Sequence, residues 1–260
     1  MFFEILVLLF AGWGAGIVTG LIGASAVMFA APVMVLFLGF DAYTAIGISL
    51  GIDVVASIIA TFIFHKNKNI RLKPGIVMAF FAVIGAFLGS YFSSYMPPGI
   101  LIKITGVAIF LTGLRLYRQS LAIEANKIEE AIKLRFSKKQ KVLLYGFAGF
   151  IVGVIGGVFG AGGGLSILFV LTFVSKYKIH TAVGTSVFVM TFLALSGAVG
   201  HYIYGSFVVY AVVIGAVGAI IGSFSSAVFA NWVSEKTLNK TAAIIFIVLG
   251  VTMAIREFLL

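Results

Sequence analysis

The sequence predicts an all-α polytopic membrane protein made of two inverted-topology repeats, with about eight to ten transmembrane or re-entrant segments. Three observations lead there: an extreme apolar composition, a duplicated motif pattern, and basic loops that change sides between the halves. Of 260 residues, 62% are hydrophobic and 10% charged, and the mean hydropathy is +1.19. A soluble domain has about half and about a quarter. Uncharged runs of roughly 18 or more residues recur along the chain, which is the signature of membrane helices rather than of a β-barrel.

The first repeat, 1–117, divides into apolar segments at 2–20, 24–39, 42–64, 75–95 and 100–117. The opening stretch lacks a basic n-region and carries Glu4, so it reads as a membrane segment rather than a signal peptide. A basic connector follows, 118–141, whose "LAIEANKIEEAIKLRF" is amphipathic and suits a cytoplasmic helix on anionic headgroups. The second repeat, 142–260, divides at 142–159, 163–175, 180–203, 207–229 and 238–257.

The halves align residue by residue. "TGLIGASA" (19–26) lies over "GGVFGAGG" (156–163), and "TAIGIS" (44–49) over "TAVGTS" (181–186), both at an offset of 137. "GAFLGS" (85–90) matches "GAIIGS" (218–223) at an offset of 133, and Lys103 and Gly113 match Lys240 and Gly250 at 137 again. Insertions and deletions have therefore collected in loops, as expected of a duplication.

Charge gives the orientation. Lys66, Lys68, Arg71 and Lys73 crowd one loop, and Arg118, Lys127, Lys133, Arg135, Lys138, Lys139 and Lys141 the connector, while "MPPG" (96–99) between them is neutral. Basic loops face the cytoplasm. In the second half the basic positions are Lys176, Lys178, Lys236 and Lys240, and "YGSF" (204–207) is neutral. The pattern has swapped sides, as an odd number of crossings per half requires. The net charge of +10 thus belongs to membrane topology, and no nucleic-acid partner is expected.

The uncharged runs 5–40 and 142–175 are both too long for one crossing of about 20 residues. Each holds its glycines in the middle, and "GGVFGAGGG" (156–164) places six in nine positions. Backbone that turns at membrane depth must be buried in protein or line a cavity, so the two turns should meet where the halves meet. A turn of this kind, followed by a helix start with free N–H groups, is an anion site. The expected substrate-binding set is Gly23, Ser25, Ser49, Gly160, Gly162, Gly163, Gly164, Thr185 and Ser186. Close helix packing is the other use of glycine, and the helical spacing of Gly12, Gly16, Gly85, Gly89, Gly218 and Gly222 points to it.

Asp53 is the acidic residue placed near the centre of a span, where a carboxylate marks a coupling or gating function or a hydrogen bond to a neighbouring helix. Met190 stands at its counterpart. His65 and His201 end the third segments and join Asp53 as coupling or gating candidates, at interfacial positions. Hydroxyls such as Ser49, Thr185 and Ser186 either donate to an oxyanion or bond their own i−4 carbonyl. No catalytic triad, carboxylate pair or metal-ligand cluster is present, and the absence of cysteine excludes disulfides and thiolate chemistry. No cofactor is expected, and the chain does not read as an enzyme.

The run "GVIGGVFGAGGG" (153–164) followed by "TAVGTS" (181–186), echoed by "GLIGASA" and "TAIGIS", resembles the duplicated pattern of the sulfite exporter TauE/SafE family of membrane permeases. The resemblance spans essentially the whole chain, although "GASA" replaces the glycine-rich run in the first half. It implies transport of sulfite or an organosulfonate across the cytoplasmic membrane, coupled to an ion gradient. Residues and spacing alone give an inverted-repeat carrier with an anion site. A passive anion channel and, further off, a membrane-embedded assembly factor are the alternatives from other classes.

Overall fold

The computed structural model describes residues 2–123, 138–160, 163–175, 177–205 and 207–230, together with 240, 243, 244, 247, 248 and 251. Among these residues there is no strand. Helix α1 (Phe2–Ile22) is followed by a short α2 (Val27–Val33) that continues as a π-helix over Met34–Leu38, then by α3 (Ala42–Lys66), α4 (Leu72–Ser94) and α5 (Pro98–Ile123). The order recurs: α6 (Lys138–Phe159), a short α7 (Gly163–Phe169) continued as a π-helix over Val170–Val174, α8 (Ile179–Tyr204) and α9 (Val209–Ala230). The described residues between 240 and 251 are also helical.

Helices α1, α3, α4, α6, α8 and α9 are long and apolar enough to cross a membrane. The glycine-broken runs resolve into one full helix and one short helix each. At 1.5 Å per residue, Val27–Leu38 covers about 18 Å, roughly half a bilayer core. Helix α5 runs to Ile123 and α6 starts at Lys138, so both reach into the span expected as connector, of which 124–137 lie outside the described residues. Asp41 is exposed and caps α3, its side chain accepting from the Thr44 N–H at 3.0 Å.

The two halves exchange a helix. One apolar core joins α1, α2 and α3 with α9, through Leu8, Ala15, Ile48, Ile52, Ala211 and Ala219. The other joins α6, α7 and α8 with α4, through Val152, Ile167, Met190, Leu193, Met78 and Ala82. The fourth helix of each half thus packs in the core of the other half, with α3 against α8 at the centre.

Small residues carry the exchange, because lipid offers no hydrophobic drive for helix association and close backbone contact must supply it. A Cβ on Gly12 would fall 1.8 Å from the Gly215 carbonyl oxygen, and one on Gly222 2.1 Å from that of Trp13. In the other pair, Cβ atoms on Gly85 and Gly153 would fall 2.3 and 2.4 Å from the carbonyls of Phe150 and Ala82. Ser223 and Ser226 of α9 add hydroxyl bonds to the carbonyls of Ala56 and Gly16, at 2.6 and 3.2 Å. Gly153→Leu must force α4 and α6 apart. We expect it to destabilise the protein by about 1–3 kcal/mol, read as a lowered melting temperature in detergent, with Gly197→Ala, whose Cβ would meet the end of the Leu50 side chain at 3.1 Å, as the milder control.

Candidate functional site

The breaks in the two glycine-containing runs lie against each other in the interior. Gly23 and Gly160, equivalent in the repeat, both adopt φ +65°, a left-handed conformation that glycine enters without a Cβ penalty. Each ends its helix with an i−4 bond: Gly23 N–H to Thr19 O at 3.0 Å, Gly160 N–H to Gly156 O at 2.8 Å. The chain then turns into the short helix. The crossing itself is at Gly164, where an added Cβ would sit 2.0 Å from the Gly23 carbonyl oxygen and 3.1 Å from the Ala24 Cα. Gly160 is enclosed by Val27 and Ile46 of the first half, and Gly23 touches Val183 of the second.

Hydroxyls hold the turns, Ser25 from across the halves and Ser186 from within the second half and across to the first. Ser25 donates toward the Gly160 carbonyl at 2.8 Å. Ser186 donates to the Gly164 carbonyl at 2.7 Å and lies 3.4 Å from that of Gly23. The Gly23 and Gly160 carbonyls lie just past the C-terminal ends of α1 and α6, where carbonyls lack an intrahelical partner, and in a dry interior each needs one.

Asp53 completes the cluster. It is fully buried and accepts from Ser25 Oγ at 2.8 Å and Thr19 Oγ1 at 3.2 Å, and from the Ala26 backbone N–H at the start of α2. All three donors are uncharged. The carboxyl thus occupies the N–H end of the first short helix. Its counterpart Met190 lies beside Gly163 at the start of the second, its Sδ 3.2 Å from where a Cβ on Gly163 would be. A thioether accepts only weakly and brings no charge, so the two helix starts differ chemically.

The structure therefore brings together Gly23, Ser25, Gly160, Gly164, Ser186 and Asp53, with Gly163 at the edge of the cluster. Thr19, missing from the residues expected by sequence, belongs to it; its signal was its place in the repeated "TGLIGASA" motif, one turn before the break. Gly162 lies outside the described residues.

Other expected members stand apart. The Ser49 hydroxyl bonds its own helix at Ala45 O, 2.6 Å away, which is the usual fate of serine within a helix. Thr185 donates to Thr181 O at 2.7 Å and accepts from the Arg71 N–H at 3.0 Å. It fastens the loop before α4 onto α8, where the Asn69 carbonyl approaches Gly184 and the Arg71 guanidinium lies 6.0 Å from the Tyr177 ring centroid. Burial pushes the Tyr177 phenol above its usual range, so it stays neutral beneath that cation. Thr185→Val should cost about 1 kcal/mol, visible in thermal melts, and leave flux unchanged.

The two histidines, expected alike at the interface, differ. His65 is exposed at the end of α3. His201 is buried, with 1% exposure; its ring stacks on Tyr43 at 4.2 Å and its Cβ packs on Gly47. Its Nε2 lies 3.0 Å from the Gly157 carbonyl, in the last turn of α6. The imidazole thus caps the helix that leads into the second break, a role set by packing between α3, α6 and α8 and not by sequence position.

Among the described residues no group of three or more His, Asp or Glu is placed to hold a metal. A family model for sulfite exporter TauE/SafE matches residues 8–253. Among curated proteins, the probable membrane transporter protein YdhB of Bacillus subtilis is 29% identical over 227 residues, covering 86% of this chain and 90% of that protein. The probable membrane transporter protein YunE of the same organism is 27% identical, covering 96% of each. A third probable membrane transporter protein, MJ0441 of Methanocaldococcus jannaschii, is 27% identical over 76% of this chain and 74% of its own length. No solved structure matches. With the family pattern running through both broken segments and both helix exchanges, the chain belongs to the sulfite exporter TauE/SafE family.

Proposed function

We propose that this protein is a secondary active transporter that moves a small sulfur-containing anion, sulfite or an organosulfonate, across the cytoplasmic membrane by alternating access coupled to an ion gradient. One observation carries the reading: two glycine-broken segments cross at Gly23 and Gly164 inside the protein, with Ser25 of the first half donating to the Gly160 carbonyl and Ser186 of the second reaching that of Gly23. Broken backbone at membrane depth, placed between repeats, is where secondary transporters bind substrate. The names of the relatives, all probable membrane transporters, and the family's description support the same class and the sulfur anion.

The exchanged fourth helices and the side-switching basic loops support two inverted repeats, 1–117 and 142–260, with the connector 118–141 in the cytoplasm. The anion would enter at the second turn, 160–164. There Met190 leaves the helix start uncharged, whereas Asp53 already occupies the first. Ser186 and the amides of Gly163 and Gly164 would be its donors there. Alternating access would part and rejoin the crossing turns, with the bilayer as the surrounding solvent.

The test is sulfite and sulfonate flux into proteoliposomes with and without an imposed pH gradient. Saturable, gradient-driven accumulation is the expected result. Flux that only dissipates the anion gradient would make the protein a channel or uniporter, and no flux of any sulfur anion would remove the substrate assignment.

A further inference from the structure

The Ser25 hydroxyl lies 2.8 Å from two acceptors, Asp53 Oδ2 and the Gly160 carbonyl oxygen, and has one hydrogen to give. The consequence depends on whether Asp53 carries a proton. With the carboxylate ionised, the Ser25 hydrogen goes to Oδ2, the stronger acceptor, and the buried Gly160 carbonyl loses its hydroxyl partner. With the carboxyl protonated, Oδ2–H donates to Ser25 Oγ and the Ser25 hydrogen turns to Gly160 O. Every group is then satisfied, since Oγ has two lone pairs and takes both the Asp53 hydrogen and the Val27 N–H, 3.3 Å away. Thr19 donates to Oδ1 in either state.

We propose that Asp53 and Ser25 form a proton-binding site read by the opposite half of the protein: a proton on Asp53 fastens the second-half turn at Gly160 through Ser25, and its loss releases that turn. Ser25, expected from sequence to touch substrate, is then the positioning residue that converts protonation into a contact between halves. The inference rests on the transporter reading, for which it supplies the link between a proton and the parting of the turns.

Other titratable groups on the elements packed around Asp53 do not share in this bond. Glu4 begins α1; Asp41, Tyr43, His65 and Lys66 lie at the ends of α3; Lys139, Lys141 and Tyr145 lie in the first turns of α6; His180, Tyr202 and Tyr204 lie at the ends of α8; and Tyr210 begins α9. Asp41 and His65 are each about 18 Å along α3 from Asp53 at 1.5 Å per residue. His201 comes nearest in chemistry, since it holds the Gly157 carbonyl one turn before Gly160, and it does not contact the Ser25 hydroxyl.

The test uses the full chain reconstituted in lipid, without any anion substrate, so that its failure is separable from a failure of transport. Hydrogen–deuterium exchange across 19–30 and 155–166 is followed against pH after correction for intrinsic rates, beside the infrared band of a protonated carboxyl. In the wild type, protection of both segments should fall as that band disappears, and the band should be missing in Asp53→Asn. Asp53→Asn keeps a permanent donor to Ser25, so protection should stay high at every pH. Ser25→Ala should keep the titrating band but lose the pH dependence of exchange, and Ser25→Thr should restore it. A carboxyl band that survives in Asp53→Asn, protection that still falls with pH in Asp53→Asn, exchange that follows sodium rather than pH, or a Ser25→Ala profile matching the wild type would each overturn the proposal.

Discussion

Gly164→Ala is expected to abolish sulfite and sulfonate flux in proteoliposomes, while Gly163→Ala, one residue away, retains most of it. The difference lies in what each new methyl meets. At Gly164 it falls 2.0 Å from the Gly23 carbonyl oxygen, and backbone held by its own turn cannot yield without separating the two halves. At Gly163 the nearest atoms are Met190 Sδ at 3.2 Å and Leu193 Cδ1 at 3.4 Å, ends of flexible side chains that adjust by a few tenths of an ångström. Overpacking of the first kind costs about 1–3 kcal/mol, occasionally more, and here all of it falls on the crossing. Equal flux from the two variants would show that the crossing does not take part in transport.

The second large effect is at Asp53. Asp53→Asn should insert and fold, since the amide keeps an acceptor for Thr19 and gains a donor for Ser25, but its flux should no longer vary with pH or respond to a pH gradient. Asp53→Leu should do more harm: it takes the carboxylate acceptor from the buried Thr19 hydroxyl and the Ala26 N–H, at about 1–3 kcal/mol for each group, while Ser25 keeps the Gly160 carbonyl. Membrane yield and thermal melting would then fall together. If Asp53→Asn keeps the wild-type pH profile of flux, the carboxyl is a structural hydrogen-bond partner and coupling lies elsewhere.

These two predictions rest on different levels of information. That residues near 20–25 and 160–164 break their helices was readable from glycine clustered within runs too long for one crossing. That Gly164, rather than Gly160 or Gly163, is the point of contact was not, because a left-handed turn and a close approach select glycine equally. The same limit applied to hydroxyls. Ser49 and Ser186 are equivalent in the repeat, yet Ser49 bonds its own helix and Ser186 bonds Gly164 across from Gly23. A side chain's partner depends on the facing element, and no spacing within one segment reports that.

The sequence by itself determined the class of the protein, the duplicated order of its elements, the position of each helix break and the membrane depth of Asp53. All of these follow from local quantities: run length against bilayer thickness, the conformational range of glycine, and the cost of charge in hydrocarbon. Only the tertiary structure decided that α4 and α9 exchange between the halves, that Ser25 faces both Asp53 and Gly160, and that His201 is buried as a cap on α6 while His65 is exposed. The physical reason is common to these three. In a bilayer every helix surface is apolar, so hydropathy does not say which faces meet. Small-residue contact and the pairing of the last free carbonyls do, and both are properties of two elements together.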